Sequence, residues 1–283
     1  MPAPRQSPAV RRVVLVVLDG LRPDAVQRFS LANFARLARA GASTYEAQTV
    51  APSVTACAMA SLLSGAAPPR HGLQSDRFAV PRPRGALHPL PSELARYGLP
   101  TSVYLGRVPL LMRHVAQRLA SVAGVREACF FGSGSREILA AAHQSLSLQE
   151  EGLIILHWPE ADRAGHEHGW MSPSYADAAR RMDESLGRLA QDVALDDSGT
   201  LLIALADHGG GGARRDHHDS EHPFDRTVPL FLAGGSVVAG DLGAGVSLLD
   251  VPATVLWSLG VPVPESYAGR PLTQAFMAEA LSA

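Results

Sequence analysis

The hydrophobic residues of this chain fall into short continuous runs, separated by stretches in which apolar residues recur every three or four positions. The runs at 13–18 and 201–206 hold only valine, leucine, isoleucine and alanine. Such runs are typical of strands that are buried on both faces of a parallel sheet. The predicted strands are residues 13–18, 101–105, 127–131, 152–158, 201–206 and 228–233.

The stretches between the runs predict helices, because their apolar residues share one helical face. The clearest of them follows Ser172 and Pro173, a serine suited to the N-cap and a proline suited to the first turn. Ser53 is also a suitable N-cap, for a helix that ends before Ser64 and Gly65. The predicted helices are residues 24–40, 53–63, 109–122, 135–148, 172–193, 248–259 and 271–281.

Strands and helices alternate through the whole sequence. This order predicts an α/β fold, with a mostly parallel sheet and helices on both faces. No internal repeat and no linker divides the chain, so a single domain over residues 1–283 is predicted. Residues 66–91 are rich in proline and arginine and predict an excursion at the surface.

The most informative polar residues are Asp207 and His208, which follow the apolar run 201–206 and precede four glycines. This pattern predicts a buried strand that presents a carboxylate and an imidazole to a mobile glycine loop. Asp19 and Asp162 also lie at or just after the ends of predicted strands. Because ligands bind at the edge formed by the carboxyl ends of parallel strands, we expect these side chains to share a site.

Histidines concentrate around this predicted site, and seven of the eleven lie between residues 157 and 222. Carboxylates and imidazoles are ligands of zinc and other divalent metals, so the concentration indicates a metal site. The candidate ligands besides Asp207 and His208 are Asp162, His166, His217, His218 and His222. Spacing alone does not separate the last three of these histidines.

A candidate nucleophile is Thr55, two residues after the predicted N-cap Ser53. In the first turn of a helix, the peptide N–H groups and the helix dipole favour an anion. The hydroxyl of Thr55 could therefore attack a phosphate whose charge the helix end stabilises. Without further context, an ordinary helical threonine is the simpler interpretation.

Composition narrows the classes of function. The net charge of −2 gives no broad basic surface for a nucleic-acid duplex or an anionic membrane. All 25 basic residues are arginine, which excludes a Schiff-base lysine and a Walker-type phosphate loop. Cys57 and Cys129 form no zinc-binding pattern. The run at 13–18 is too short for a signal peptide or a membrane span, so a cytoplasmic protein is expected.

Short motifs follow one another along nearly the whole chain. They are Val16-Val17-Leu18-Asp19-Gly20, Pro52-Ser53-Val54-Thr55-Ala56, Ser64-Gly65, His71-Gly72-Leu73, Asp162-x-x-Gly165-His166-x-x-Gly169, Asp207-His208-Gly209, His218 before Val228-Pro229-Leu230, Leu249-Asp250-Val251-Pro252-Ala253-Thr254-Val255 with Gly260 and Pro262, and Gly269-Arg270-Pro271-Leu272. In type and order these motifs resemble the alkaline phosphatase superfamily, in particular its type I phosphodiesterase and nucleotide pyrophosphatase branch.

The resemblance implies an alkaline phosphatase-like fold with little or no cap domain, and two metal ions, usually zinc. It assigns one ion to Asp19, Thr55, Asp207 and His208, and the other to Asp162, His166 and His218. It also implies that Thr55 attacks the phosphorus of a small-molecule phosphate ester, a phosphodiester in particular. The phosphothreonine intermediate is then hydrolysed by water.

Departures from the branch bear on the substrate. Ala58 occupies the position where pyrophosphatase members commonly have an asparagine that contacts phosphate, so a nucleotide preference does not follow. Ala56 follows the nucleophile, and neither a third-metal set nor a phosphate-clamping arginine is visible, which favours diesters over monoesters. Residues 66–131, where larger members carry specificity elements, are short and predict an open site.

Other functions remain as alternatives. A phosphomonoesterase or a phosphonate hydrolase would keep the fold and the metals. A sulfatase lacks support, because neither cysteine occupies the nucleophile position. A zinc-stabilised binding protein without activity would keep only the ligands, and the metal could be a divalent ion other than zinc.

Overall fold

A computed structural model of the chain describes residues 10–75, 82–106, 108, 113–193, 195 and 199–276. In chain order the strands are β1 (Arg12–Leu18), β2 (Ala42–Gln48), β3 (Thr101–Leu105), β4 (Glu127–Phe130), β5 (Gly152–Trp158), β6 (Thr200–Leu205), β7 (Thr227–Gly234) and β8 (Gly240–Asp241). They form one eight-stranded sheet with the order β4-β3-β5-β1-β6-β7-β2-β8.

The centre of the sheet is β1, whose apolar sequence suits burial on both faces. It pairs in parallel with β5 on one side and with β6 on the other, and residues 13–18 are at most 1% exposed. β3 and β4 continue the parallel part beyond β5. The predicted mostly parallel α/β sheet is therefore confirmed.

The opposite side of the sheet contains antiparallel pairs that the hydrophobic pattern did not predict. β7 runs antiparallel to both β6 and β2. The sequence of β2 has no continuous apolar run, and its register with β7 shifts between Thr44 and Ala47. An interrupted strand of this kind leaves only a weak periodic signal, so the sequence predicted no strand there.

The helices pack against the sheet in two groups. In chain order they are α1 (Pro23–Arg28), α2 (Ala32–Ala40), α3 (Thr55–Ser64), α4 (Pro68–His71), α5 (Leu90–Ala95), α6 (Arg113–Val122), α7 (Ser135–Leu148), α8 (Glu160–His168), α9 (Pro173–Asp192), α10 (Pro223–Arg226) and α11 (Asp250–Ser258). α2, α7 and α8 all contact α9, whereas α3, α5 and α11 contact one another. None of the described helices is long and apolar enough to cross a bilayer.

Some predicted helices have different boundaries in the structure. Residues 24–40 form two helices, because the chain turns at Ser30, whose φ is 54°. α8 was not predicted, since its nine residues are mostly polar and give no apolar stripe. Of the predicted helix 271–281, the described part forms a 3-10 turn at Thr273–Ala275, and the remainder lies outside the described residues.

Two further predictions concern the start of a helix and a possible specificity region. The helix expected from Ser53 begins later, because Val54 is its N-cap and Thr55 its first residue. Residues 109–112, predicted as the start of a helix, lie outside the described residues. The described part of 66–131 includes β3 and β4, so only a portion of it is an excursion from the sheet. Its role in specificity stays a prediction.

The glycines after His208 pack closely against their surroundings and differ from the mobile loop that we predicted. Gly209 donates its N–H to the carbonyl oxygen of Asp225, and Gly210 donates to that of Phe224. A Cβ atom on Gly210 would lie 2.1 Å from the ring of Trp170. Glycine therefore allows the backbone to approach the indole at this point.

Replacing Gly210 with alanine is expected to destabilise the protein by roughly 1–3 kcal/mol, because the new methyl group overlaps the Trp170 ring. The matched control is Gly240→Ala, since a Cβ atom there meets nothing within 4 Å. Urea unfolding of the two variants measures the difference. Equal midpoints would contradict the close packing of Gly210.

Candidate functional site

Two aspartates lie side by side at the carboxyl edge of the sheet, because β1 and β6 are parallel neighbours. Asp19 directly follows β1, and Asp207 follows β6 by two residues. Asp207 is fully buried, and its Oδ1 atom accepts hydrogen bonds from the N–H groups of Gly20 and His208 at 3.2 and 3.0 Å. Its Oδ2 atom has no hydrogen-bond partner. The backbone thus fixes one oxygen and leaves the other facing the site.

The predicted nucleophile lies beside these aspartates. Thr55 is the first residue of α3, and its Oγ1 atom lies 3.4 Å from Asp19 Oδ1 and 3.0 Å from His208 Nε2. His208 Nε2 in turn lies 3.3 Å from Asp19 Oδ1 and 3.6 Å from Asp207 Oδ2. Asp19, Asp207 and His208 can therefore each offer one ligand atom within 4.8 Å of the other two.

A second group of ligand atoms adjoins the first. Asp162 and His166 lie one turn apart on α8, with 3.3 Å between Asp162 Oδ1 and His166 Nε2. His218 Nε2, from the loop after β6, lies 3.5 Å from Asp162 Oδ1 and 3.1 Å from His166 Nε2. Ligand atoms of Asp162, His208 and His218 also lie within 4.8 Å of one another. His208 thus adjoins both groups.

The imidazoles of His166, His208 and His218 are oriented in the same way. In each ring Nδ1 bonds a backbone carbonyl oxygen, that of Asp216 for His166, of Gly209 for His208 and of Ser53 for His218, at 2.7–2.9 Å. Since a carbonyl only accepts, Nδ1 carries the proton and Nε2 presents its lone pair to the site when the ring is neutral. Metal-bound histidines are held by their second nitrogen in this way.

The two competing histidines contact residues other than Asp162. His217 Nδ1 is 3.1 Å from the Asp216 carboxylate, and the side chain of His222 accepts the N–H of Phe224 at the start of α10. The structure therefore brings His218, and neither of its two competitors, to Asp162. The sequence did not separate these three because they occupy one loop, and only its path decides which ring faces inward.

A further histidine belongs to this site. His157, near the end of β5, places Nε2 3.3 Å from Asp19 Oδ2. Burial lowers the pKa of its ring, which favours the neutral form. Its position at a strand end beside Asp162 was the sequence signal that could have included it.

Charge and burial oppose each other at the site. Burial raises the pKa of Asp207 to about 6, and the charge of Asp19 adds to the rise. Burial lowers the pKa of His208, but Asp207 and Asp19 outweigh burial, and its pKa lies well above the usual value. The Asp162 carboxylate, 3.3 Å from Nε2, raises the pKa of His166 to about 8. These carboxylates therefore favour positive charge nearby.

A divalent cation fits this set of residues. Asp162 Oδ1, Asp207 Oδ2 and His157 Nε2 are buried without a hydrogen-bond partner, which is costly unless another group compensates. Carboxylate oxygen and imidazole nitrogen are the ligands that zinc and related metals prefer. Each of the two candidate groups could hold a metal ion, and the two groups share His208.

Residues outside the predicted set hold the ligands in place. The Ser53 hydroxyl donates to the carbonyl oxygen of His218, and so joins the start of α3 to the histidine loop. Trp170 Nε1 and the Tyr175 hydroxyl both donate to the carbonyl oxygen of Gly20, at 3.0 Å each. The spacing of these residues did not predict that they hold the ligands in place, because this role depends on contacts between distant segments.

A cavity of about 730 Å³ opens beside Thr55. Its wall includes His157 and Asp162 from the site, and Met59 and Leu63 from α3. The cavity gives a substrate access to the hydroxyl of Thr55. No sequence pattern predicted this cavity, because its wall comes from four separate segments.

Removal of the His218 side chain tests the second group of ligands. The resemblance implies one ion for each group, so His218→Ala is expected to lower metal content by one zinc ion per chain. It should lower metal-dependent activity at least roughly 100-fold, since groups that merely orient a ligand already cost about 10- to 100-fold. His217→Ala is the control and should retain both ions. Metal analysis after gel filtration measures the stoichiometry, and equal loss in both variants would contradict the assignment.

Comparison with known proteins identifies a sequence family. The sequence profile of type I phosphodiesterases and nucleotide pyrophosphatases matches residues 13–136 and 113–230. A 2,3-bisphosphoglycerate-independent phosphoglycerate mutase of Synechococcus sp. (strain JA-2-3B'a(2-13)) is 32% identical over 147 residues, which cover 49% of this chain and 27% of the mutase. The match therefore spans about a quarter of that relative.

Solved structures share the fold. Murine ectonucleotide pyrophosphatase/phosphodiesterase 5, as an inactive variant in complex with AMP, has a TM-score of 0.69 at 13% identity, covering 90% of this chain and 96% of its own. A putative sulfatase from Bacteroides thetaiotaomicron has a TM-score of 0.73 at 14% identity, covering 94% and 74%. Both have the fold of the alkaline phosphatase superfamily, whose members depend on metals.

Proposed function

Because this chain belongs to the type I phosphodiesterase and nucleotide pyrophosphatase family, within the alkaline phosphatase superfamily, we propose that it is a two-metal hydrolase of phosphodiesters. Thr55 is the nucleophile in this proposal, and a small-molecule phosphate ester is the substrate. Zinc is the proposed metal.

One observation carries the proposal. Three imidazoles, each held through Nδ1 by a backbone carbonyl, direct Nε2 toward a buried pair of carboxylate groups next to a hydroxyl. A site built only for stability would leave these carboxylates paired with fixed donors instead of leaving Asp207 Oδ2 and Asp162 Oδ1 without hydrogen bonds.

The distances support two metal positions, and the resemblance divides the ligands between them. Asp19, Asp207 and His208, with Thr55, would hold one ion, and Asp162, His166 and His218 the other. Two divalent ions would lower the pKa of the threonine hydroxyl and of water, and would stabilise charge on the phosphoryl oxygens.

The first chemical step depends on the position of Thr55. Its Oγ1 atom attacks phosphorus, an Oγ1–P bond forms and the bond from phosphorus to the departing alkoxide breaks. The hydroxyl proton passes to Asp19 Oδ1, 3.4 Å away, and from there to the departing alkoxide, which leaves as the alcohol. The dipole of α3 favours the anionic group at its first residue.

The second step releases Thr55 by hydrolysis. Water attacks the phosphorus of the phosphothreonine, the P–Oγ1 bond breaks, a proton from the water restores the Thr55 hydroxyl and the phosphate monoester leaves. The histidines keep their positions through both steps, because backbone groups hold His166, His208 and His218. A rigid ligand set avoids reorganisation during the reaction.

A substrate panel tests this function against its alternatives. Zinc-loaded protein is expected to hydrolyse bis-p-nitrophenyl phosphate at least about tenfold faster, in kcat/KM, than p-nitrophenyl phosphate, and faster than p-nitrophenyl phenylphosphonate. A reversed order would favour the monoesterase or the phosphonate hydrolase. Two bound ions without turnover of any ester would favour a non-catalytic zinc-binding protein.

A further inference from the structure

The cavity beside Thr55 has one wall formed by a single face of α3. Thr55, Met59 and Leu63 are spaced four residues apart, which places them on the same side of the helix, and all three line the cavity. Eight residues of helix span roughly 12 Å. The cavity therefore runs along α3 from the nucleophile outward.

The remaining wall contains both apolar and polar residues. Leu105 at the end of β3 and Pro159 after β5 are apolar, and the described lining contains no phenylalanine, tyrosine or tryptophan. Besides Asp162 and His157, the polar residues are Ser133 and Arg163, and the guanidinium of Arg163 donates to the carbonyl oxygen of Ser133. Among these residues the imidazole of His157 is the single ring on which a nucleobase could stack.

Gly106 keeps the cavity open. A Cβ atom on Gly106 would lie 3.4 Å from Pro159 Cγ and 3.9 Å from the Gly132 carbonyl oxygen, among other lining residues. Its φ lies outside the left-handed region, so larger residues can adopt this backbone. A side chain placed here would project into the space beside Leu105 and Pro159.

The position of the cavity decides which part of a diester it receives. In an in-line displacement the leaving oxygen lies opposite the attacking Oγ1 atom, across phosphorus. Because the cavity is lined by Thr55 itself and extends along the helix that carries the nucleophile, we assign it to the substituent that does not depart. That substituent stays on phosphorus in the phosphothreonine intermediate.

We propose that the cavity is a subsite for an uncharged aliphatic group, the ester substituent that remains on phosphorus after attack by Thr55. This inference rests on the proposed diesterase function and adds its substrate class: phosphodiesters of aliphatic alcohols, with no nucleoside required. Met59, Leu63 and Leu105 are its apolar contacts, and Gly106 is the residue that determines how long a group fits.

The test uses p-nitrophenyl phosphodiesters whose retained group is methyl, propyl, hexyl or thymidine. With zinc-loaded protein, kcat/KM is expected to rise about two- to fourfold for each buried methylene, so at least roughly 30-fold from methyl to hexyl. The hexyl diester should exceed the thymidine diester at least about tenfold. A flat series, or a preference for thymidine, would overturn the proposal.

Variants at Gly106 test whether this residue limits the length of the retained group. Gly106→Leu is expected to reduce the hexyl-to-methyl ratio of kcat/KM from at least roughly 30 to about 1. Gly106→Ala should retain most of the dependence on chain length. An equal loss for the methyl and hexyl diesters in Gly106→Leu would refute Gly106 as the residue that limits chain length.

A binding measurement separates this proposal from the proposed function. Isothermal titration of zinc-loaded wild type and of Thr55→Ala with methyl- and hexylphosphonate requires no turnover. Hexylphosphonate is expected to bind at least roughly 30-fold more tightly to both. Selective binding without hydrolysis of any diester would refute the diesterase and retain the subsite, whereas hydrolysis with equal binding of the two phosphonates would refute the subsite.

Discussion

Replacing Thr55 with alanine is expected to lower kcat/KM for diester hydrolysis by roughly 10⁴-fold, because removal of a nucleophile leaves only binding and electrostatic stabilisation. The hydroxyl lies at the first residue of α3, 3.0 Å from His208 Nε2. The alanine side chain fits the same backbone, and Asp19, Asp207 and His208 remain to hold the ion, so zinc content should change little.

The control is Thr55→Ser, which keeps the hydroxyl and should retain a measurable fraction of the activity. Acid-quenched wild type and Thr55→Ser should both carry the phosphoryl adduct on the peptide that contains residue 55, which mass spectrometry detects. Unchanged hydrolysis by Thr55→Ala, or an adduct on another peptide, would show that Thr55 is not the nucleophile.

Replacing Asp207 with asparagine is expected to abolish binding of one metal ion and, at the same time, to stabilise the metal-free protein. Asp207 is fully buried, and burial together with Asp19 raises its pKa from 3.8 to about 6. A shift of that size corresponds to on the order of 3 kcal/mol of unfavourable free energy for the charged form. Asparagine keeps the acceptor for Gly20 and removes the charge beside Asp19.

The gain in stability should depend on pH. Since folding raises the pKa of Asp207, the folded protein holds this proton to higher pH than the unfolded chain. The charged carboxylate therefore destabilises the metal-free wild type increasingly as pH rises from about 4 through about 6. The difference in unfolding free energy between Asp207→Asn and wild type should be small near pH 4.5 and reach its full size by about pH 8.

Urea unfolding in the presence of a chelator measures this difference. In the presence of zinc, wild type should instead be more stable than Asp207→Asn. Zinc at about 100 times its dissociation constant should add about 2.7 kcal/mol to wild type and less to the variant. Asp183→Asn is the control, because Asp183 is buried but accepts hydrogen bonds from Asn33 and Phe34 at 2.9 Å. It should be destabilised, and a destabilised metal-free Asp207→Asn would contradict the prediction.

The sequence predicted most of the sheet because the burial of its central strands can be recognised from short apolar runs. An uninterrupted apolar run such as β1 has few alternatives to burial in a parallel sheet. The same reasoning placed Asp19, Asp162 and Asp207 at one edge, since the polarity of parallel strands fixes where each ends. It missed β2 and α8, whose residues are stabilised by partners and give little periodicity of their own.

What the sequence determined by itself was therefore the α/β fold and a set of carboxylates and histidines at one rim. The tertiary structure decided that His218 faces Asp162, that Ser53 binds the His218 loop instead of capping α3, and that an aliphatic cavity lies beside Thr55. The physical reason is that these features depend on the relative positions of segments far apart in the chain. Hydrophobic periodicity records which face of a segment is buried, but not which distant side chain will meet it.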